Sequence, residues 1–260
     1  MRVFCGVRTT RENQASDNGN PLPCGGCPVA HLQEETRCDP NASCVRTTYA
    51  RHIERFFRNN PRLAERFWND PYFETRAIVT RYLPAEILRK MTRDSDETVR
   101  MNVALFLPAG SLVRMMNDPD REVRIRVAAR IPVALLPMMA SDPDYYVRHQ
   151  VALRIAPTAL IFMKEDPDPE VRRVVARRIP APHHLDFRED PDALVRIEVL
   201  ERGNPDLWRE ALGDSDVRVR FWLAERATGE ALSAMASDPD AFLRQIALRR
   251  LGEEKGRAAS

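Results

Sequence analysis

The stretch that decides the fold is residues 118–155, DPDREVRIRVAARIPVALLPMMASDPDYYVRHQVALRI, because it contains one pattern twice. Asp-Pro-Asp returns after 24 residues, and an arginine follows the opening aspartate by six residues each time. Extended in both directions, this spacing gives eight units without an insertion, which is the signature of a stacked repeat array. We number positions within a unit from the opening aspartate, position 0. These aspartates are Asp70, Asp94, Asp118, Asp142, Asp166, Asp190, Asp214 and Asp238.

Each unit predicts one α-helix followed by a shorter helical segment. Positions 5, 9, 10 and 13 are mostly apolar and have helical spacing, and the aspartate at position 2 suits the N-cap of that helix. Proline at position 14 of several units ends the helix, and the apolar run behind it tolerates proline, which favours a 3₁₀-helix. Neither piece can bury its apolar face alone, so neighbouring units must stack. The predicted fold class is therefore all-α, a solenoid of 24-residue repeats.

Two columns of arginine run through the units. Position 6 is arginine in all eight and lies within the apolar face of the helical wheel, so we expect it to point inward and pair with aspartates at position 0 or 2. Its neighbour Arg173 is expected at the surface. Position 12 borders the apolar face, and its arginines are either candidates for binding a partner or a solvated edge. They are Arg130, Arg154, Arg178, Arg202, Arg226 and Arg250.

All five cysteines lie in the first 44 residues. Four of them form the pattern C-x2-C-x10-C-x5-C, and four thiolates can hold either one zinc ion or the four irons of a [4Fe–4S] cluster. Gly25 and Gly26 let the backbone bend between the first two. Cys5 lies 19 residues upstream of this set and is expected to be spare. The candidate metal ligands are Cys24, Cys27, Cys38 and Cys44.

The chain of 260 residues divides into three predicted segments: a cysteine-rich segment 1–45, a degenerate capping repeat 46–69 and eight repeats in 70–260. The 40 Lys and Arg residues nearly balance 38 Asp and Glu residues, so the net charge of +2 gives no general attraction to nucleic acid or membrane. No apolar run is long enough to span a membrane and no secretory signal opens the chain, which predicts a cytoplasmic protein. No phosphate-binding loop or nucleophile motif indicates an enzyme.

Units of the form D-P-D-x-x-V-R-x-x-V-A-x-R-I-P behind a cysteine segment resemble the leucine-rich repeat variant family of nitrogen-fixing bacteria, over residues 24–260. The resemblance implies a right-handed superhelix of alternating α- and 3₁₀-helices. It also implies a [4Fe–4S] cluster on the four candidate cysteines, which favours iron–sulfur over zinc. Gly203-Asn204 and Thr228-Gly229 depart from the apolar-Pro step of the repeat, which leaves the helix geometry there open. The resemblance implies no reaction.

Three functions follow as hypotheses. The first is a non-enzymatic scaffold for protein–protein interaction whose cluster caps the array or senses redox state. Its partner would be an unknown protein, and an acidic one would complement the position-12 arginines. The second is an electron-transfer partner of a redox enzyme in nitrogen metabolism. The third is nucleic-acid binding along the position-12 arginines, which the near-zero net charge and the aromatic content of 7% disfavour. No membrane partner is expected.

Overall fold

The computed structural model describes residue 24, residues 26–202 and residues 204–258. Three residues named in the sequence predictions lie outside the described residues: Cys5, Gly25 and Gly203. The first half of the predicted cysteine-rich segment lies outside them as well. Two compact units divide the chain between Leu135 and Leu136.

Helices make up the regular structure of the described chain, which contains no β-strand and one isolated antiparallel bridge between Asp39 and Ser43. None of the described helices is both long and apolar enough to cross a membrane. The α-helices are Ala50–Asn59, Phe73–Val79, Ala85–Met91, Glu97–Phe106, Arg121–Arg130, Tyr145–Arg154, Pro169–Arg178, Ala193–Leu200, Pro205–Glu210, Val217–Arg226, Gly229–Met235 and Ala241–Ala258. The 3₁₀-helices are Ala30–Gln33, Pro61–Arg66, Thr80–Tyr82, Ala109–Met115, Val133–Met139, Pro157–Met163, Ala181–Phe187 and Ala211–Gly213.

The second segment of the repeat is a 3₁₀-helix in some units and a short α-helix in others. Val133–Met139 carries Pro137 inside it and is a 3₁₀-helix, as the sequence predicts. Ala85–Met91 and Gly229–Met235 contain no proline and are rich in strong helix formers, and both are short α-helices instead. Pro205–Glu210 is also α-helical and tolerates its only proline, which stands in the first turn. Proline alone does not set the helix type, since Ala109–Met115 contains none and Pro157–Met163 carries its only proline at the first position, and both are 3₁₀-helices. The expected alternation of α- and 3₁₀-helices therefore holds in the middle repeats and changes at the units that depart from the pattern.

The aspartate at position 2 caps the helix of its own repeat. Asp120 accepts hydrogen bonds at Oδ1 from the backbone N–H groups of Glu122 and Val123, at 2.9 and 3.1 Å. Its carboxylate also lies at the positive end of the helix dipole. Tyr72 replaces this aspartate in the first repeat, and its helix has no side-chain cap. The cap prediction is confirmed wherever the aspartate is present in the described repeats.

We expect Asp144→Ala to cost about 1 kcal/mol of stability, because it leaves two N–H groups of the first helical turn without an acceptor. These groups belong to Tyr146 and Val147. Chemical denaturation of the variant and of the wild type measures the difference. Asp144→Asn is the matched control and should retain most of the stability, since asparagine is an equally good N-cap.

The core is built from columns of identical positions. Position 9 is fully buried in consecutive repeats, for example at Val103, Val127, Val151 and Val175, and the methionines at position 21 are buried beside it. The helix Ala50–Asn59 continues this core towards the N-terminus through three fully buried side chains. They are Ile53, Phe56 and Phe57. We call Ala50–Asn59 the capping helix because it precedes the first full repeat.

Candidate metal centre

The arginines at position 6 form a ladder of ion pairs between neighbouring repeats. Arg148 donates from Nε and Nη2 to the two carboxylate oxygens of Asp166, at 2.7 and 2.9 Å, and from Nη1 to the carbonyl of Asp142 at 2.8 Å. Asp166 opens the next repeat, so each bidentate pair ties one repeat to its successor. The same two-point contact joins Arg76 to Asp94, Arg100 to Asp118, Arg172 to Asp190 and Arg196 to Asp214, and Arg220 donates to Asp238 through Nε.

The inward orientation predicted for position 6 is confirmed, with Arg100 and Arg148 each 8% exposed. The pKa of Arg148 is raised, because hydrogen bonding to Asp166 outweighs the effect of burial. The prediction that position 2 could also be the partner is wrong, since those carboxylates cap their own helices. Because the guanidinium donors of the paired arginines are bound to carboxylates and carbonyls of the protein, we infer that these pairs join repeats and do not bind anions.

The arginines at position 12 reach back to the preceding repeat. Arg250 donates through Nη1 to the carbonyls of Ala224 and Ala227, at 3.0 and 2.9 Å. Arg130 and Arg178 make equivalent bonds to the carbonyls at the end of the preceding helix, where unpaired acceptors and the negative end of the dipole favour a cation. Burial lowers the pKa of Arg178, because its donors meet carbonyls and not a carboxylate.

The rest of this column varies. Arg154 ends the helix Tyr145–Arg154. Arg202 is exposed and donates to the carbonyl of Arg177 at 2.5 Å, whereas Arg226 is exposed with its guanidinium 6.0 Å from the ring centroid of Trp222. Partner binding by the six arginines stays a prediction, and the exposed members Arg202 and Arg226 are the ones with most freedom to serve it.

One buried charge cluster escaped the sequence analysis. Glu198, 6% exposed, accepts hydrogen bonds from Arg177 at 2.5 and 2.9 Å and from Arg173 at 3.4 Å. Arg173 also contacts Glu170 at 3.1 Å, and its side chain is only 27% exposed. The expectation that Arg173 is an ordinary surface residue is therefore wrong. The position that Glu198 occupies in the repeat carries other residue types in the other units, so the sequence pattern did not predict this cluster.

Backbone geometry brings the four candidate cysteines together in two pairs. The N–H of Cys27 donates to the carbonyl of Cys24 at 3.0 Å, and Gly26 between them has φ of +75°, which favours glycine. Asp39 and Ser43 exchange two backbone hydrogen bonds at 2.9 and 2.8 Å. This bridge turns the chain back on itself, so the residues outside it, Cys38 and Cys44, face each other across the hairpin.

The electrostatics place the two pairs within reach of each other. Burial, then the thiols of Cys44, Cys27 and Cys24, raise the pKa of Cys38 to about 11. Burial likewise raises the pKa of Cys44, although its sulfur accepts a hydrogen bond from the N–H of Arg46 at 3.3 Å. Cys38 and Cys44 are buried, whereas Cys24 and Cys27 are partly exposed.

The donor set suits a metal cluster. All four cysteines are free thiols, and mutual repulsion of their thiolates is what a positively charged metal centre would relieve. Within the described part of the chain, no three or more His, Cys, Asp or Glu side chains are arranged to hold a metal ion, so the fit rests on the type and pairing of these donors and not on a closed coordination geometry.

The raised pKa of Cys38 has a measurable consequence in metal-free protein. Because the folded pKa of about 11 exceeds the ordinary value of 9.0, the folded segment is favoured below pH 9 and loses this stability as the pH rises from 9 to 11. We expect Cys38 to react with iodoacetamide slowly at pH 8 in folded apoprotein and much faster above pH 10. Peptide mass mapping across this range measures the rate, and urea-unfolded protein, in which the rise should centre near 9.0, is the control.

Comparison with a solved structure decides the family. One solved structure is described as a leucine-rich repeat variant with a novel repetitive protein structural motif. Its sequence is 42% identical to this chain, and the two structures superpose with a TM-score of 0.83. The match covers 88% of this chain and 98% of the solved one. The chain belongs to the leucine-rich repeat variant family. The predicted all-helical repeat fold is therefore confirmed.

Two further comparisons concern parts of this leucine-rich repeat variant chain. A family model described as the LRV protein FeS4 cluster matches residues 16–66, which include the four candidate cysteines and the capping helix. An uncharacterized 27.7 kDa protein in the nifB 3′ region of Rhodobacter capsulatus is 43% identical over 82 residues, which is 32% of this chain and 34% of that relative. The match thus spans about a third of the curated relative. These findings support an iron–sulfur segment joined to a helical repeat scaffold.

Proposed function

We propose that this chain is a non-enzymatic scaffold for protein–protein interaction that carries a redox-sensing [4Fe–4S] cluster on Cys24, Cys27, Cys38 and Cys44. One observation carries the cluster assignment: four free thiols stand in two pairs, Cys24 and Cys27 in one turn and Cys38 and Cys44 on either side of the Asp39–Ser43 bridge. The family model over residues 16–66 supports the iron–sulfur chemistry. Internal pairing of the position-6 arginines supports a scaffold, since that column is used to join repeats.

The protein residues would hold such a cluster asymmetrically. When bound, a [4Fe–4S] cluster accepts and releases single electrons. Cys38 and Cys44 would bind it from the buried side, and the N–H of Arg46 would donate to the Cys44 sulfur, which stabilises its negative charge. Cys24 and Cys27 would bind it from the partly exposed side, where solvent or an oxidant can approach.

Metal analysis of protein purified without oxygen tests the assignment. We expect brown protein with four irons and four acid-labile sulfides per chain and with thiolate-to-iron absorption in the visible range. Colourless protein with one zinc ion per chain would reject iron–sulfur in favour of the zinc alternative. Absorption that changes reversibly with dithionite and a mild oxidant would support redox sensing, and a cluster inert to both reagents would reject it.

Scaffold function requires a protein partner, and the exposed arginines give this requirement a test. If the partner is acidic, Arg202→Glu with Arg226→Glu should abolish its capture from native extract by the immobilised protein. Arg250→Gln is less informative, because it would also remove the bonds to Ala224 and Ala227. Capture that persists in the double variant would place the binding surface elsewhere.

An electron-transfer role is a second candidate, and the partial exposure of Cys24 and Cys27 favours it. Electron transfer to a partner requires a reversible midpoint potential and rapid oxidation of the reduced cluster by that partner. A cluster that signals redox state to the scaffold requires a conformational response instead. Stopped-flow oxidation by candidate redox enzymes, compared with hydrogen exchange in the two redox states, distinguishes them.

Nucleic-acid binding along the position-12 column has less support, because Arg130, Arg178 and Arg250 use donors on backbone carbonyls. We therefore expect no retention of duplex DNA or single-stranded RNA at physiological salt. Electrophoretic mobility measured over a salt series checks this expectation, since phosphate contacts give a steep dependence on salt. Tight, salt-sensitive binding that Arg202→Glu weakens would instead establish the nucleic-acid function.

A further inference from the structure

The two cysteine pairs are anchored differently. Cys24 and Cys27 lie in a single turn and are partly exposed. Cys38 and Cys44 are buried on either side of the Asp39–Ser43 bridge. The N–H groups of Arg37 and Cys38 donate to the carbonyl of Leu32, at 3.0 and 3.2 Å, which holds the hairpin to the 3₁₀-helix Ala30–Gln33. Neither these bonds nor the bridge fixes where the hairpin lies relative to the capping helix.

Asn60 makes that contact. It is fully buried at the C-terminal end of the capping helix. Its side-chain amide donates to the carbonyl of Arg37, 23 residues earlier, at 2.8 Å, and to the carbonyl of Phe56 at 2.9 Å. Since Arg37 directly precedes Cys38, one side chain joins the backbone next to a candidate ligand to the last turn of the capping helix.

The arrangement is more than a helix cap. The backbone N–H of Asn60 already donates to the carbonyls of Phe56 and Phe57, at 2.9 and 3.2 Å, so these two acceptors at the helix end are bound without the side chain. Its side-chain Oδ1 is buried and has no hydrogen-bond partner among the described residues, which is unfavourable. The buried amide therefore has an unused acceptor, while its two donor bonds connect the hairpin and the helix.

We propose that Asn60 is a positioning residue for the cluster, because its side chain holds the Cys38–Cys44 hairpin against the capping helix. This inference rests on the proposed function, because it assumes that these cysteines bind the cluster. Asn60 does not touch the cluster in this proposal. It fixes the carbonyl of Arg37 and thereby the backbone that presents the Cys38 sulfur, as outer hydrogen bonds fix metal ligands generally.

Asn60→Leu tests the proposal, since leucine has a similar volume and no donor. Under anaerobic conditions, we expect the variant to lose its cluster to a chelator about tenfold faster than the wild type, as removal of an outer hydrogen bond weakens metal sites. The electron paramagnetic resonance spectrum of the reduced cluster should shift as well. The increase in melting temperature on cluster binding should be smaller in the variant than in the wild type.

Thr80→Val is the matched control. Thr80 is also fully buried and donates to a helical carbonyl, that of Ala77, at 2.6 Å, but it lies in the first repeat. The Thr80→Val substitution should lower the melting temperatures of the cluster-bound and cluster-free proteins equally and leave the rate of cluster loss unchanged. If Asn60→Leu behaves in the same way, Asn60 is only structural and the proposal is overturned.

Two outcomes separate this proposal from the proposed function. Wild-type protein without iron would refute the cluster itself, whatever the variants do. If Asn60→Leu does not fold, Asn60→Ser, with one donor in place of two, provides the same comparison. Faster cluster loss in the serine variant supports the positioning role, and a wild-type rate with an unshifted spectrum refutes it.

Discussion

Arg148→Ala is expected to lower the free energy of unfolding by about 3–5 kcal/mol, because it leaves a buried carboxylate without its counter-charge. The side chains of Arg148 and Asp166 are 10% and 4% exposed and share two hydrogen bonds. The variant also frees the carbonyl of Asp142, which Arg148 binds. Urea denaturation followed by circular dichroism measures the loss as a lower transition midpoint or as an earlier, separate transition of the affected repeats.

Arg249→Ala is the control for this prediction. Its side chain is 64% exposed and lies 4.0 Å from Glu225, so its removal should change stability by no more than about 0.5 kcal/mol. A second variant, Arg148→Met with Asp166→Asn, should recover much of the lost stability, since it removes both buried charges together and keeps an Oδ1 acceptor for the N–H of Asp168. Equal midpoints for Arg148→Ala and Arg249→Ala would show that the ladder does not hold the repeats together.

Cys24→Ala is expected to abolish the visible absorption of anaerobically purified protein. In the proposed site each of the four irons is bound by one cysteine, and the variant leaves one iron without its ligand. A bound cluster would add to the stability of this folded segment. We therefore expect faster hydrogen exchange in residues 26–45 of the variant, with exchange in the repeats unchanged. Iron analysis, absorption spectra and exchange mass spectrometry give the three measurements.

Cys5→Ala is the control, and it should keep both colour and iron content. The opposite result, loss of the cluster in Cys5→Ala together with its retention in Cys44→Ala, would preserve the cluster and overturn the ligand assignment. Faster exchange throughout the repeats of Cys24→Ala would show that the cluster stabilises the whole array and not only its N-terminal segment.

The repeat and its inward arginine could be read from the sequence because both depend on local chemistry. A 24-residue period, helical spacing of apolar positions and an aspartate before each helix are all properties of short segments. The same holds for the clustering of Cys24, Cys27, Cys38 and Cys44, which indicated a metal centre from residue types and spacing. Pro137 likewise acts locally, since it excludes a regular α-helix from its own segment.

Only the tertiary structure decided which groups these side chains meet. The aspartates at positions 0 and 2 are two residues apart and chemically identical, and the stacking of successive repeats alone brings position 0 to the preceding arginine. Backbone carbonyls have no sequence signal, so the acceptors of Arg250 and of the Asn60 amide were unpredictable. Glu198 stood in no repeated column, and its burial between arginines follows from packing. Sequence therefore determined the period, the helices and the direction of the arginine column, because these are local, whereas pairing across repeats required the distances between atoms far apart in the chain.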